Sequence, residues 1–139
     1  ALGLSFPAGP ELERLAETAV SKSFRLAGSV NGLQISFSGP ESAAQRAIAA
    51  GVDRAEIAAA VLDNIANSLE KVIRAARERT GRQQVLLAGG VAANQRLRRR
   101  MQSLHAVCAE PRYASDNACG VALLGWRHFY ENHGNTGVL

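Results

Sequence analysis

This sequence is poor in cysteine and in long apolar runs, and each shortage excludes a class of protein. Its 139 residues include two cysteines, Cys108 and Cys119, which are too few for the disulfide framework of a small secreted domain. No stretch approaches the roughly twenty uninterrupted apolar residues of a membrane span, and the N-terminus lacks the charged start and apolar core of a signal peptide. We therefore expect a reduced, cytoplasmic protein without a membrane segment.

Residue groups typical of hydrolytic or zinc chemistry are also lacking. The three histidines are His105, His128 and His133. His128 and His133 miss the i, i+4 spacing that places two metal ligands on one face of a helix. No serine or cysteine stands in a pattern with histidine and an acid that is typical of a nucleophile. We expect no covalent hydrolytic intermediate and no catalytic residue, and we expect the histidines at the surface.

The charge that is present is mostly arginine. Sixteen basic residues against twelve acidic ones give a formal net charge of +4. An excess of this size suits a phosphate-bearing partner without requiring one. The densest basic cluster is formed by Arg96, Arg98, Arg99 and Arg100. Such a cluster on a helix can contact an RNA backbone or form a solvated face, and we favour the solvated face.

The length is that of one domain over residues 1–139, and the hydrophobic pattern is mainly helical. Because the chain begins at Ala1 without an initiator methionine, we expect a fragment or an expressed domain. Periodicity and capping signals predict helices over 10–20, 38–48, 53–80, 93–103 and 116–132. Strands are predicted as a hairpin of 24–27 with 33–37, and as a parallel pair of 84–88 with 106–109. Residues 134–139 are expected to be a loose tail.

The most informative stretch is an apolar strand that runs into a glycine pair and then a helix, VLLAGGVAAN over residues 85–94. Glycine lets a ligand approach the backbone, and a helix start offers unpaired N–H groups. Gly89, Gly90 and Asn94 are therefore candidate nucleotide-binding residues, although a plain turn and a helix cap remain alternatives. Asp116, at a second helix start, is a candidate ion ligand or only a dipole partner. Glu13 can reach ribose hydroxyls or remain solvated.

Four motifs that occur in order along the chain resemble one known family. They are GLSFPAGP at 3–10, SFSG at 36–39, LAGGVAAN at 87–94 with Leu97-Arg98, and SDNA at 115–118. Together they are similar to the C-terminal half of the tRNA threonylcarbamoyladenosine (t6A) synthesis proteins, historically labelled O-sialoglycoprotein endopeptidases or glycoproteases. The resemblance covers nearly the whole chain.

The resemblance implies an α/β chain that is the C-terminal lobe of an actin-like ATPase (ASKHA, RNase H-like) fold, helix-rich, with a small mixed sheet and a β-hairpin. It implies transfer of a threonylcarbamoyl group from threonylcarbamoyl-adenylate to N6 of an adenosine in tRNA. The implied cofactors are an adenine nucleotide, threonylcarbamoyl-AMP or ATP, and one divalent ion, iron, zinc or magnesium. By position, the residues that resemble binding residues are Gly9, Glu13 and Asn94 for the adenylate, Gly89 and Gly90 for the pocket lining, and Asp116 for the metal.

The chain departs from the family pattern at two motifs. Ala8 replaces a usual glycine, and its methyl is expected to crowd the pocket, while Pro40-Glu41 replaces a usual Leu-Lys pair. The family's metal histidines and phosphate loop belong to the N-terminal half, so we expect no transfer by this chain alone. The expected partners are that missing N-terminal lobe, other subunits of the pathway and tRNA.

Two other functions remain open. The first is a divergent, non-catalytic paralog that acts as a dimerisation subunit, and the second, ranked last, is the metallopeptidase of the historical label. A lobe separated from its partner would expose an apolar face, so self-association is also expected.

Overall fold

A computed structural model describes residues 2–21, 23–110 and 118–133. The described helices are α1 (Ala8–Glu17), α2 (Ser38–Ala49), α3 (Arg54–Thr80), α4 (Gln95–Gln102) and α5 (Ala118–His133). The described strands are β1 (Ser29–Asn31), β2 (Gln34–Ser36), β3 (Leu86–Leu87) and β4 (Val107–Cys108). A 3₁₀ turn, Gly90–Ala93, leads from β3 towards α4. The predicted helix-rich α/β class is confirmed.

The central helix, α3, is delimited by the residues that the sequence pattern indicated. The Asp53 side chain accepts a hydrogen bond from the Glu56 backbone N–H at 3.0 Å, which caps the first turn. Gly81 ends the helix in the left-handed conformation, with φ of +69°. The prediction of one long helix over 53–80 is therefore confirmed almost to the residue.

Three small apolar clusters surround α3 and together form the core. They comprise Ala16, Ala58, Ala59 and Leu62 towards α1; Ala44, Ala47 and Ile57 towards α2; and Ala66, Ile73, Leu97, Met101, Leu104 and Ala106 towards α4 and the parallel strands. Many of these side chains are alanines, which let neighbouring backbones approach closely. Met101 of α4 and Ile57 of α3 are fully buried, so Met101 anchors α4 against α3 and Ile57 anchors α3 against α2.

The predicted β-hairpin is confirmed, but its first strand lies later in the chain than predicted. β1 (Ser29–Asn31) pairs with β2 (Gln34–Ser36) across a turn at Gly32 and Leu33. Residues 24–27 form no strand. Gly32 has φ of +57°, which a two-residue hairpin turn requires at this position. Phe24 and Leu26 pack instead on the Ile57 cluster. Burial against α3, rather than strand pairing, determines their place.

The predicted parallel pair is also confirmed, with Leu86 opposite Val107 and Leu87 opposite Cys108. The prediction of one small mixed sheet is wrong for the described residues, because the antiparallel pair and the parallel pair form two separate sheets. Each ladder is only two or three residues long, and no strand pairing joins them. Cys108 is a half-buried free thiol. The predicted helix start at 116 and the tail at 134–139 lie outside the described residues.

Helix α5 presents apolar side chains to solvent. The large ones that are more than half exposed are Val121, Leu123, Leu124, Trp126, Phe129 and Tyr130. The Trp126 and Tyr130 ring centroids lie 4.8 Å apart. An exposed patch of this kind is typical of an interaction surface. No helix in the described part of the chain is both long enough and apolar enough to span a bilayer.

Helix α4 ends in a Schellman motif whose left-handed residue is not glycine. His105 has φ of +53°, the Ala106 N–H donates to the Met101 carbonyl at 3.2 Å, and the His105 N–H donates to the Gln102 carbonyl at 2.9 Å. A residue with a β-carbon is strained in this conformation. We expect His105→Gly to raise the free energy of unfolding by about 0.5 kcal/mol.

Urea unfolding followed by circular dichroism would measure this change. His105→Ala is the matched control, because it removes the imidazole and keeps the β-carbon. An equal gain in both variants would show that the ring, and not the backbone conformation, is the source of the strain.

Candidate functional site

A cleft between α1, α3 and the 3₁₀ turn brings together four of the five residues predicted to bind a nucleotide. Its volume is about 280 Å³, near the lower end for small-molecule sites. The predicted residues at its wall are Gly9, Glu13, Gly90 and Asn94, and the others are Pro10, Leu12, Leu62, Ile65, Val91 and Ala93. This wall is built from three segments of the chain: α1, the middle of α3, and the 3₁₀ turn with Asn94.

The glycines of the site have different surroundings. A β-carbon added at Gly9 or Gly90 would meet no atom within 4 Å, so open space faces both backbones. Gly89 does not line the cleft. It precedes the 3₁₀ turn with φ of +104° and ψ of 163°, a conformation that essentially only glycine adopts. Gly89 therefore shapes the turn that carries Gly90 and Val91.

Glu13 connects α1 to the N-terminus of α4. Its Oε1 accepts hydrogen bonds from the Gln95 N–H at 2.6 Å and from the Arg96 N–H at 3.3 Å. These N–H groups have no partner within α4, and the positive end of the helix dipole favours a carboxylate there. Within the described residues, the structure assigns no hydrogen bond to the Oε2 of Glu13. One carboxylate oxygen of Glu13 thus stabilises the start of α4.

Asn94 is the N-cap of α4. Its Oδ1 accepts a hydrogen bond from the Leu97 N–H at 2.9 Å, which confirms the capping alternative for this residue. Its side-chain nitrogen, Nδ2, has no assigned partner in the described part of the chain. Asn94 therefore divides its amide between a structural acceptor and a potential donor to a ligand.

The Ala8 methyl does not crowd this cleft. Ala8 lines a neighbouring apolar groove of about 510 Å³, and Pro40 and Glu41 line the same groove. The expectation that Ala8 narrows the pocket is therefore wrong, because α1 directs Gly9 and Glu13 to the cleft and Ala8 to the groove. The departures from the family motifs all lie on the groove.

The predicted metal residue, Asp116, lies outside the described residues. Among residues 2–21, 23–110 and 118–133, no group of three or more histidine, cysteine, aspartate or glutamate side chains is placed to hold a metal ion. A divalent ion needs several such ligands. The described residues therefore do not form a metal centre.

The arginine cluster of α4 is not a free basic face. Arg96 forms a bidentate pair with Asp63 of α3, with both nitrogen–oxygen distances at 2.9 Å. Arg100 donates to Glu70 of α3 at 2.9 Å. Arg98 is half-buried and donates to backbone carbonyls. The predicted solvated face is wrong for Arg96 and Arg98, which are half-buried against α3 and the strand ends, whereas Arg99 and Arg100 are exposed.

The sequence patterns missed the apolar part of the cleft wall. Leu12, Leu62 and Ile65 line the cleft, yet their spacing indicated only the core face of a helix. No local signal distinguishes a side chain that faces another helix from one that faces a cleft beside it. Only the packing of α1 against α3 shows which residues these are.

Comparison with known proteins agrees with the resemblance. A family model, TsaD, described as tRNA N6-adenosine threonylcarbamoyltransferase, matches residues 1–123. The chain is 40% identical over 132 residues to a probable bifunctional tRNA threonylcarbamoyladenosine biosynthesis protein of Methanothermobacter thermautotrophicus, covering 88% of this chain and 24% of that protein. It is also similar to the tRNA N6-adenosine threonylcarbamoyltransferases of two other organisms. Identity is 40% over 132 residues for Thermus thermophilus, with coverage of 91% and 40%, and 35% over 130 residues for Methanopyrus kandleri, with coverage of 89% and 37%. The chain spans between about a quarter and two-fifths of the length of these relatives.

The cap at Asn94 allows its structural role to be measured alone. Asn94→Ala removes the acceptor for the Leu97 N–H, and we expect it to lower the free energy of unfolding by about 1 kcal/mol. Asn94→Asp keeps an acceptor at the same place, and we expect its stability to stay within about 0.5 kcal/mol of the unchanged chain. Urea unfolding would test both. Equal losses in the two variants would contradict a capping role.

The pair of Glu70 with two arginines predicts a stability change in acid. Hydrogen bonds from Arg74 and then Arg100 hold the pKa of Glu70 below its ordinary value. A carboxylate with a lowered folded pKa stabilises the fold above its unfolded pKa, and this contribution is lost as pH falls through the folded pKa. We expect Glu70→Gln to lower the free energy of unfolding by less than about 1 kcal/mol at pH 7, since Arg74 and Arg100 are largely exposed.

The difference between Glu70→Gln and the unchanged chain is expected to shrink as the pH falls below the ordinary carboxyl range and to disappear below the lowered pKa of Glu70. Unfolding curves collected from neutral to acid pH would measure it. Glu78→Gln, at an exposed position of the same helix, is the control. A pH-independent difference would show that Glu70 acts through packing and not through its charge.

Proposed function

The chain belongs to the tRNA N6-adenosine threonylcarbamoyltransferase family, and we propose that it forms the adenylate-binding lobe of such an enzyme. The observation that carries this proposal is the convergence of Gly9, Glu13, Gly90 and Asn94 on one cleft. Family membership gives the reaction class, a threonylcarbamoyl transfer to adenosine of tRNA. In this proposal the chain is the C-terminal lobe of an actin-like fold in a cytoplasmic enzyme.

The chemistry of the cleft suits the nucleoside end of an adenylate. The open backbones at Gly9 and Gly90 and the apolar side chains of Leu12 and Ile65 offer a surface for a flat ring. The free oxygen of Glu13 accepts hydrogen bonds from hydroxyl groups and disfavours a phosphate beside it. The Asn94 amide nitrogen donates to a ring nitrogen or a hydroxyl oxygen. Sugar and base are therefore assigned to this cleft.

The metal ligands and the rest of the proposed site are assigned to residues beyond the described ones. The described residues hold no metal-ligand set, so the divalent ion of the proposed enzyme requires ligands beyond them, with Asp116 as a candidate contributor. The relatives are much longer than this chain. On this basis the proposed lobe binds nucleotide, pairs with an N-terminal lobe and with pathway subunits, and does not transfer the group alone.

A non-catalytic partner subunit is the second candidate. The supporting observation is that Ala8, Pro40 and Glu41, which depart from the family motifs, all line the apolar groove beside the cleft. The exposed side chains of α5 add a second apolar surface. Such surfaces suit dimerisation with a related subunit or with a second copy. The metallopeptidase ranks last, since no relative reported above is named a peptidase.

The first test is a titration of the ¹⁵N-labelled chain, followed by NMR, with ATP and Mg²⁺ and separately with adenosine. We expect saturable amide shifts grouped at Gly9, Gly90 and Asn94 with both ligands. Adenosine carries no phosphate, so its binding reports recognition of base and sugar. Shifts confined to the arginines of α4, or none at millimolar ligand, would contradict nucleoside binding by this cleft.

Asn94→Asp then separates binding from folding in the same titration. The variant keeps the helix cap but loses the amide donor, and we expect about threefold or more weaker adenosine binding, the value of one lost hydrogen bond. Ser103→Ala is a control at the far end of α4. Unchanged adenosine affinity in Asn94→Asp would remove Asn94 from the site while leaving the cleft itself in place.

A further inference from the structure

Arg98 lies on α4 beside the cleft but does not line it. Its guanidinium binds two separate backbone segments. Nη1 donates to the Ala92 carbonyl at 3.0 Å and to the Ala109 carbonyl at 2.7 Å. Nη2 also donates to the Cys108 carbonyl at 3.5 Å. One side chain thus connects the 3₁₀ turn to the end of β4.

These segments follow the two parallel strands. The turn Gly90–Ala93 comes after β3, and Ala109 comes directly after β4. The ladder continues to this point, since the Ala109 N–H donates to the Leu87 carbonyl at 2.8 Å. The carboxyl edge of parallel strands is where ligands bind in open α/β sheets. Arg98 therefore connects the two chain segments at the carboxyl edge of this strand pair.

The side chain is well placed to act as a rigid brace. Leu97 and Met101 of α4 are buried, at 4% and 0% exposure, and hold the helix against α3. A guanidinium has five N–H donors in a fixed planar fork, so it can serve carbonyls from two segments at once. A lysine ammonium on its flexible stem would hold them less firmly.

We propose that Arg98 is a positioning residue for the nucleotide cleft: by holding the Ala92 carbonyl against the end of β4, it fixes the turn that carries Gly90, Val91 and Ala93. The ligand in this inference rests on the proposed function, whereas the brace rests on the contacts of Arg98 alone. Two amides report the turn directly. The Ala92 N–H donates to the Gly89 carbonyl at 2.9 Å, and the Asn94 N–H donates to the Val91 carbonyl at 3.2 Å.

The test compares Arg98→Met and Arg98→Lys with the matched control Arg99→Met. Arg99 is exposed and donates to the Gln95 carbonyl of its own helix. Amide hydrogen exchange and the dissociation constant for ATP with Mg²⁺ are measured by NMR on all four chains. We expect Arg98→Met to speed hydrogen exchange of the Ala92 and Asn94 amides by about tenfold. We also expect it to weaken ATP binding by about threefold or more. Arg98→Lys should give values between those of Arg98→Met and the unchanged chain. Arg99→Met should change neither the exchange rates nor the dissociation constant.

Exchange of the α3 amides shows in each variant whether the fold is intact. If Arg98→Met is unfolded, Arg98→Lys carries the comparison with Arg99→Met. Equal exchange rates of the turn amides in the Arg98 and Arg99 variants would show that Arg98 does not hold the turn, whatever the ATP affinity. Faster exchange with unchanged ATP affinity overturns the positioning role. If the unchanged chain binds neither ATP nor adenosine, the proposed function fails, and the exchange data alone then decide whether Arg98 holds the turn.

Discussion

The start of α4 leaves several backbone N–H groups without a partner inside the helix, and the way they are satisfied organises the site. The Glu13 carboxylate accepts from Gln95 and Arg96, and the Asn94 side chain accepts from Leu97. Because Glu13 belongs to α1, this contact joins two helices whose contacting residues lie 82 positions apart in the sequence. The cleft lies at this contact, and its wall includes both capping residues.

In the proposed function, structural and binding roles are shared within single side chains rather than divided among residues. In Glu13 one oxygen supports the helix, and in Asn94 the amide oxygen does so, which leaves a carboxylate oxygen and an amide nitrogen for a ligand. A ligand can use these atoms without opening α4. A substitution that deletes either whole side chain also removes a cap, so loss of binding in such a variant is ambiguous. Isosteric exchanges separate the two roles.

Much of this molecule is predictable from local signals, and the failures have a common cause. The limits of α3, the hairpin turn and the parallel pairing follow from caps, glycines and periodicity. The glycine pair at a helix start predicted Gly90 and Asn94 as candidate binding residues, the resemblance added Gly9, and the fold brings all three together with Glu13 at one cleft. The first hairpin strand was misplaced because α3 buries residues 24 and 26. The contact of Glu13 with α4 joins residues 82 positions apart, a distance at which no periodic pattern operates.

The arginines of α4 show that a local sequence pattern also fails to predict ion pairs between helices. A run of four basic residues within five positions predicts a charged surface only if no acid faces it, and the facing acids here belong to another helix. Asp63 and Glu70 stand seven residues apart on one face of α3, and they pair with Arg96 and Arg100, which stand four residues apart on one face of α4. Arg98, two residues from each of them, leaves α4 on a different side and reaches the strand ends, where it donates to carbonyls and not to carboxylates. The same basic run thus fixes α4 to α3 and braces the turn at the cleft, and its net positive charge alone is not evidence of an RNA-binding face.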